Sequence, residues 1–100
     1  MHHPLLNLIK NKKLFTQVFK DFRSPTYVYS KKQLIRNVSA INKALKANFK
    51  KFQICYTIKA NSNPHIIKTL KSEIPHLGAD CSSPGEIYAA GLGGIRPNDC

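Results

Sequence analysis

Residues 52–64, FQICYTIKANSNP, decide how this chain is read. Phe52, Ile54, Tyr56 and Ile58 fall on one face, and Gln53, Cys55, Thr57 and Lys59 on the other, which is the period of a strand with one covered side. Asn63 then offers a helix N-cap, and Pro64 stands at the first helical position, where no backbone amide is required. The spacing predicts a strand over 52–59 followed by a short helix that turns Ile66, Ile67 and Leu70 inward and ends near Glu73 and Pro75. Lys59 closes the strand.

Upstream, SPTYVYS (24–30) reads as a short strand of aromatic and β-branched residues after a proline. Ser30-Lys31-Lys32-Gln33 is a capping box. It opens a helix over 30–47 with Leu34, Val38, Ile41 and Leu45 on one stripe, and with Lys32, Arg36, Lys43 and Lys46 largely off it. Earlier still, Leu14, Phe15, Val18 and Phe19 fit one helical face, whereas residues 5–13 show no clear period. Downstream, HLGAD (76–80) reads as a second strand. Ser83-Pro84-Gly85-Glu86 is a second capping box, starting a helix that runs through Leu92 and stops at Gly93-Gly94. Helix, strand, helix, strand, helix is the alternation of a parallel α/β fold. Two strands cannot close a sheet, and a (β/α)₈ barrel takes about 250 residues. IRPNDC (95–100) has the character of a loop into a third strand, so the chain is expected to be the N-terminal piece of a longer protein.

Charge is uneven along the chain. Of sixteen basic and five acidic residues, which give a net charge of +11, residues 1–51 hold twelve basic and one acidic, Asp21. Such asymmetry can mark a nucleic-acid or membrane arm. Here, however, the basic residues mostly decorate one amphipathic helix and its flanks, which favours a solvated face over a nucleic-acid module. Cys55, Cys81 and Cys100 are odd in number and widely spaced, which argues against a disulfide framework. No Cys-x-x-Cys or His-x-x-x-His spacing points to a metal. The apolar patch near the N-terminus is too short for a signal peptide, and no run approaches the roughly 20 apolar residues of a membrane span. A reducing, cytoplasmic setting is the expectation.

Lys59 lies where the strand–helix loops of α/β folds gather their active sites. Partial desolvation there lowers an amine's pKa and frees it to attack a carbonyl. Asp80 ends the next strand, and adjacent strands lie about 4.8 Å apart, so a carboxylate near the amine is geometrically sound. Asn61, Ser62 and Asn63 can present polar groups at the same mouth. On spacing alone, a strand-end lysine reaching to solvent is the commoner outcome, with Asp80 as an ordinary turn residue. Capping accounts best for Ser30, Asn63 and Ser83. Cys55 and Cys81 read as small strand residues, and His65 needs no chemical role.

The odds shift with a resemblance. YTIKANSNPHIIKTL, then GADCSSPGEIYAA, preceded by SPTYVYSKKQLIRNVSAINKAL, resembles the fold-type III pyridoxal-phosphate decarboxylases over residues 22–100. Within that group the chain looks most like the diaminopimelate decarboxylases, through KANSNP and the Gly85-Glu86-Ile87 stretch. The resemblance implies the N-terminal part of an alanine racemase-like (β/α)₈ TIM barrel. Residues 1–23 would be a basic N-terminal segment, and residues 24–100 the start of the pyridoxal-phosphate-binding barrel, with a first strand that would join a C-terminal β domain. It further implies that Lys59 holds pyridoxal 5′-phosphate as an internal aldimine, that Asp80 lies near it, and that Thr57 lines the cofactor pocket. Glu86 would support the site, a role its capping position explains equally well. Where the family often has Ser-Gly-Gly-Glu, this chain has Ser83-Pro84-Gly85-Glu86. Proline preserves the helix start but not contacts that need glycine.

The activity implied is decarboxylation of a small-molecule amino acid, meso-diaminopimelate to L-lysine and CO₂ first among the candidates, by a homodimer without nucleic-acid or membrane partners. Ornithine, arginine and carboxynorspermidine decarboxylases, and pyridoxal-phosphate racemases or cofactor-binding proteins, share the lysine-bearing barrel and remain alternatives.

Overall fold

The computed structural model describes residues 12–22 and 27–100. Helix α1, Lys12–Asp21, half-buries Phe15 and Val18, while Leu14 and Phe19 stay exposed. The rings of Phe15 and Phe19 stack one turn apart, with centroids 6.3 Å from each other. Residues 5–11 of the expected apolar segment lie outside the described residues.

Helix α2, Lys31–Asn48, starts where its cap predicts, with the Ser30 hydroxyl accepting from the Gln33 amide at 3.2 Å. The second half of that capping box does not form. The Gln33 side chain donates to Asn37 at 2.7 Å, one turn ahead, rather than reaching back. Of the predicted stripe, Val38 is buried and Leu34 and Leu45 are half-buried, but Ile41 is 54% exposed. Lys32, Arg36, Lys43 and Lys46 all face solvent.

The expected strand over 24–30 is not found in its described part. Tyr27–Ser30 take no regular structure, and Tyr27 is 90% exposed. An extended segment becomes a strand only by pairing its backbone, and none pairs with it among the described residues. Residues 24–26 lie outside the described residues.

Strands β1, Cys55–Thr57, and β2, Gly78–Asp80, form a parallel two-stranded sheet in the register Cys55–Gly78, Tyr56–Ala79, Thr57–Asp80. Both are shorter than the expected 52–59 and 76–80. A ladder extends only as far as both partners remain straight. Beyond Thr57 the chain tightens into a 3₁₀ turn, Ile58–Ala60, and ahead of Gly78 a turn at Pro75 and His76 occupies the expected strand start. Alternation survives nonetheless: Tyr56 and Ala79 turn toward the helices, whereas Cys55, Thr57 and Asp80 lie on an exposed face.

Helix α3, Pro64–Glu73, is capped by Asn63, whose side-chain oxygen accepts from the His65 amide at 3.0 Å. It buries Ile66, Ile67 and Leu70 as predicted. Ser39 of α2 donates to Glu73 at 2.8 Å, which ties the last turn of α3 to the middle of α2. Helix α4, Pro84–Leu92, follows β2. Val38, Ile58, Ile66, Ile67, Leu70, Ile74, Leu77, Ala79, Ala90 and Ile95 make one core, so β1, β2 and three helices share a single apolar contact region.

The end of α4 shows why two glycines stand there. Gly94, at φ +98°, donates to the Gly91 carbonyl at 3.0 Å, and Ile95 donates to the Ala90 carbonyl at 2.9 Å. This is a Schellman motif, with the left-handed residue that favours glycine. Gly93 answers a different need. A Cβ on it would fall 2.3 Å from Cγ2 of the fully buried Ile67, so α3 and α4 approach through the missing side chain. Gly93→Ala in the complete protein is expected to cost about 1–3 kcal/mol by overpacking. It should appear as a lower denaturant midpoint at unchanged m-value, and an unchanged midpoint would contradict this close packing.

Candidate active site

The 3₁₀ turn that carries Lys59 is pinned from below. Ile58, the first residue of the turn, is completely buried in the core, while Lys59 and Ala60, which follow it, are exposed. A turn anchored by one buried isoleucine holds its backbone while leaving the lysine amine to solvent. Lys59 is thus two residues beyond the pairing of Thr57 with Asp80, rather than inside the strand as the alternation predicts. The amine makes no hydrogen bond among the described residues. Thr57 and Asp80 sit opposite each other at the C-terminal end of the ladder, both exposed.

Polar contacts brace the loop after Lys59. The Tyr56 hydroxyl donates to the Asn61 carbonyl at 2.8 Å, and the Asn61 side-chain amide donates to the Tyr29 hydroxyl at 3.0 Å. The Asn61 side-chain oxygen accepts from the Asn63 amide at 3.0 Å. Burial raises the pKa of Tyr56, and the neighbouring Tyr29 adds to it, so the phenol remains a donor at neutral pH. The polar loop was legible in the sequence, but the bridge from Tyr29 to Tyr56 was not. Tyr56 reads only as a core-facing strand residue, and pairing across 32 positions leaves no local signal.

Helix α4 brings Glu86 to the same mouth, packed against the Lys59 turn. Its carboxylate accepts from the Ser82 hydroxyl at 2.8 Å, the Ser82 amide at 3.2 Å and the Ser83 hydroxyl at 3.1 Å. The Ser83 hydroxyl in turn accepts from the Glu86 amide at 3.2 Å. The predicted capping box therefore forms, with the Ser82 amide in place of the N-cap's own. The Ser82 hydroxyl, then the Ser82 amide, pull the Glu86 pKa down; Ser83 and the positive charge of Lys59 lower it further. Glu86 thus serves the cap and shares a field with the lysine.

Cys81, read from sequence as a plain strand residue, follows Asp80 directly. Burial pushes its pKa up to about 11, with the neighbouring Cys100 thiol and the negative charges of Glu86 and Asp80 adding to the shift. It is therefore a thiol at neutral pH, not a nucleophile. The three cysteines are free. His65 lies exposed in the first turn of α3. A cleft of about 570 Å³ lies beside α3, lined by Tyr29, Lys31, Asn63, His65 and Lys68 among others, and lacks Lys59, Asp80 and Glu86. The lysine mouth is instead open surface. Among the described residues no group of three or more His, Cys, Asp or Glu could hold a metal, and no helix is long and apolar enough to cross a membrane.

An unpaired amine at the mouth of a parallel sheet, with a carboxylate on the next strand, fits the carbonyl end of an aldehyde cofactor. A phosphate finds less here. The first turns of α3 and α4 already take their own caps, and α4 adds the negative charge of Glu86. For Glu86 the sign of the pH effect follows from a depressed carboxylate. Its stabilising contribution is complete above the ordinary carboxylate pKa and disappears as pH falls through the lowered folded value. Ser82→Ala should raise the Glu86 titration midpoint toward the ordinary range, read from its carboxyl carbon by NMR; an unmoved midpoint would remove Ser82 as the cause.

Comparison with known proteins agrees with this chemistry. The family model described as "Pyridoxal-dependent decarboxylase, pyridoxal binding domain" matches residues 31–100. Among curated relatives, the diaminopimelate decarboxylase of Aquifex aeolicus is 41% identical over 81 residues, covering 81% of this chain and 18% of the relative. That of Helicobacter pylori strain 26695 is 38% identical over 85 residues, covering 83% and 20%. That of Bacteroides thetaiotaomicron is 36% identical over 80 residues, covering 80% and 20%. The chain thus spans about a fifth of the length of these relatives. No solved structure matches it. By the extent of the family match, the chain belongs to the pyridoxal-dependent decarboxylases, within the pyridoxal binding domain, whose cofactor is pyridoxal 5′-phosphate.

Proposed function

We propose that the complete protein is a pyridoxal-phosphate-dependent amino-acid decarboxylase acting on meso-diaminopimelate, with L-lysine and CO₂ as products. The observation that carries this reading is the position of Lys59: exposed, anchored through Ile58, and just past the end of a strand whose neighbour ends in Asp80. Residues 24–100 would form the first part of a (β/α)₈ barrel, after a basic segment over 1–23, and the exposed face bearing Thr57 and Asp80 would be the barrel interior. The names of the relatives favour diaminopimelate over ornithine, arginine or carboxynorspermidine as substrate.

Pyridoxal phosphate, when bound, supplies the electron sink that accepts the pair left as the α-carboxylate departs. The chain's own residues do the rest of the work assigned here. Lys59 would provide the amine that holds the cofactor through its aldehyde carbon. Asp80 and Glu86 supply negative charge that favours protonated nitrogen at the mouth. Thr57, opposite Asp80, lines the pocket wall. Phosphate-binding groups belong to other strands of the complete protein, as does the homodimer contact.

Borohydride reduction of the cofactor-loaded complete protein, followed by peptide mapping, should attach the pyridoxyl group to Lys59. Lys59→Ala should abolish this attachment and lower CO₂ release by at least about 1,000-fold. Attachment at another lysine would overturn the assignment. Release of CO₂ from ornithine or arginine but not from diaminopimelate would overturn the substrate alone. Asp80→Ala is expected to lower kcat about 10-fold or more with little change in thermal midpoint, since its carboxylate is exposed. Full activity in that variant would reduce Asp80 to a turn residue.

A further inference from the structure

Resting on the reading of Lys59 given above, we infer that Asn61 is the positioning residue for that lysine, clamping its turn between Tyr29 and Tyr56. Three hydrogen bonds converge on this one residue. Its carbonyl accepts from the Tyr56 hydroxyl at 2.8 Å, its side-chain amide donates to the Tyr29 hydroxyl at 3.0 Å, and its side-chain oxygen accepts from the Asn63 amide at 3.0 Å. The consequence is geometric. Lys59 lies two residues before Asn61, in a turn of three residues that carries one buried side chain, Ile58. That isoleucine fixes the start of the turn, and Asn61 fixes its exit. Without the second point, the segment that carries the amine pivots about Ile58.

The clamp also gives Tyr29 a task. The segment before α2 forms no strand in its described part, yet its Tyr29 hydroxyl meets Asn61 across 32 positions. Asn63 is itself the N-cap of α3, so Asn61 joins the segment before α2, the Lys59 turn and the start of α3 at one side chain. Alanine can occupy position 61 without strain, because its backbone is extended at φ −162° and ψ 111°. The effect of substitution therefore comes from the lost side-chain bonds rather than from the backbone. Asparagine and aspartate share the oxygen that accepts from Asn63. An ionised aspartate can also accept from the Tyr29 hydroxyl, with the direction of that bond reversed.

The test measures Lys59 itself in the complete protein. In the cofactor-free protein, competitive acylation at one pH reports the reactivity of the Lys59 amine. After pyridoxal phosphate is added to that protein, borohydride quenching at successive times reports the rate at which it attaches. Asn61→Ala should slow attachment about tenfold by misplacing the amine, and should change the acylation rate of Lys59 while other lysines keep theirs. Asn61→Asp should restore most of the rate above the carboxylate pKa, and Tyr29→Phe should show a smaller loss of the same kind. Combined with Asn61→Ala, Tyr29→Phe should add nothing, as for residues that act through one bond. Unchanged attachment and acylation in Asn61→Ala would overturn the proposal while leaving the functional reading intact. A loss that follows lowered thermal stability and spreads to all lysines would also overturn it, by showing a general structural role. If the unsubstituted protein attaches no cofactor at Lys59, the functional reading falls, and this proposal with it.

Discussion

Parallel pairing of Cys55–Thr57 with Gly78–Asp80 is the constraint from which the arrangement of this chain follows. Parallel strands need a crossover between them, and here the crossover is α3, whose Ile66, Ile67 and Leu70 fill the space behind the sheet. Pairing Tyr56 with Ala79 sends one side-chain face into that core. The opposite face must then carry Thr57 and Asp80, one directly across from the other. Burying Ile58 just after the ladder turns the backbone and leaves Lys59 at the edge of the same open face. A slip of one residue in register would exchange the two faces and bury the polar set. The packing of the helices and the shared exposed face of Thr57 and Asp80 thus follow from one ladder.

Electrostatics at the mouth are local even though the chain as a whole is strongly basic. Its net charge of +11 is spread along the chain, with Lys32, Arg36, Lys43 and Lys46 among the basic residues that stand exposed on α2. Around Lys59 the balance reverses. Asp80 ends β2, Glu86 opens α4 with a lowered pKa, and Cys81 between them is pushed away from ionisation. Such surroundings favour a nitrogen that carries positive charge, whatever the sign of the distant surface.

The local devices were the most legible part of the sequence. Asn63-Pro64 and Ser83-Pro84-Gly85-Glu86 announce helix starts because capping uses residues within one turn, and Gly93-Gly94 announces a stop for the same reason. The alternation through Tyr56 and Ile58 correctly gave the covered face of β1. Strand length was harder to read, because a ladder ends where its partner ends, and the turn at Ile58–Ala60 has no signature apart from Lys59. Residues 27–30 have strand composition but no paired neighbour among the described residues, so propensity alone misled. Half of the first capping box was lost because Gln33 found Asn37 on its own helix face. The Tyr29–Asn61 bond was illegible for a different reason: it joins residues 32 positions apart, and no local pattern records it.

In the function proposed above, this end of the sheet is the cofactor-holding mouth, with Lys59 as its anchor and Asp80 on the neighbouring strand. A crystal structure of the complete protein grown with pyridoxal phosphate tests that most directly. Continuous density is expected from the Lys59 amine to the cofactor, with the Asp80 side chain at the same end of the sheet and Thr57 facing the same cavity. Density joining the cofactor to another residue, or Lys59 and Asp80 at opposite ends of the sheet, would contradict it.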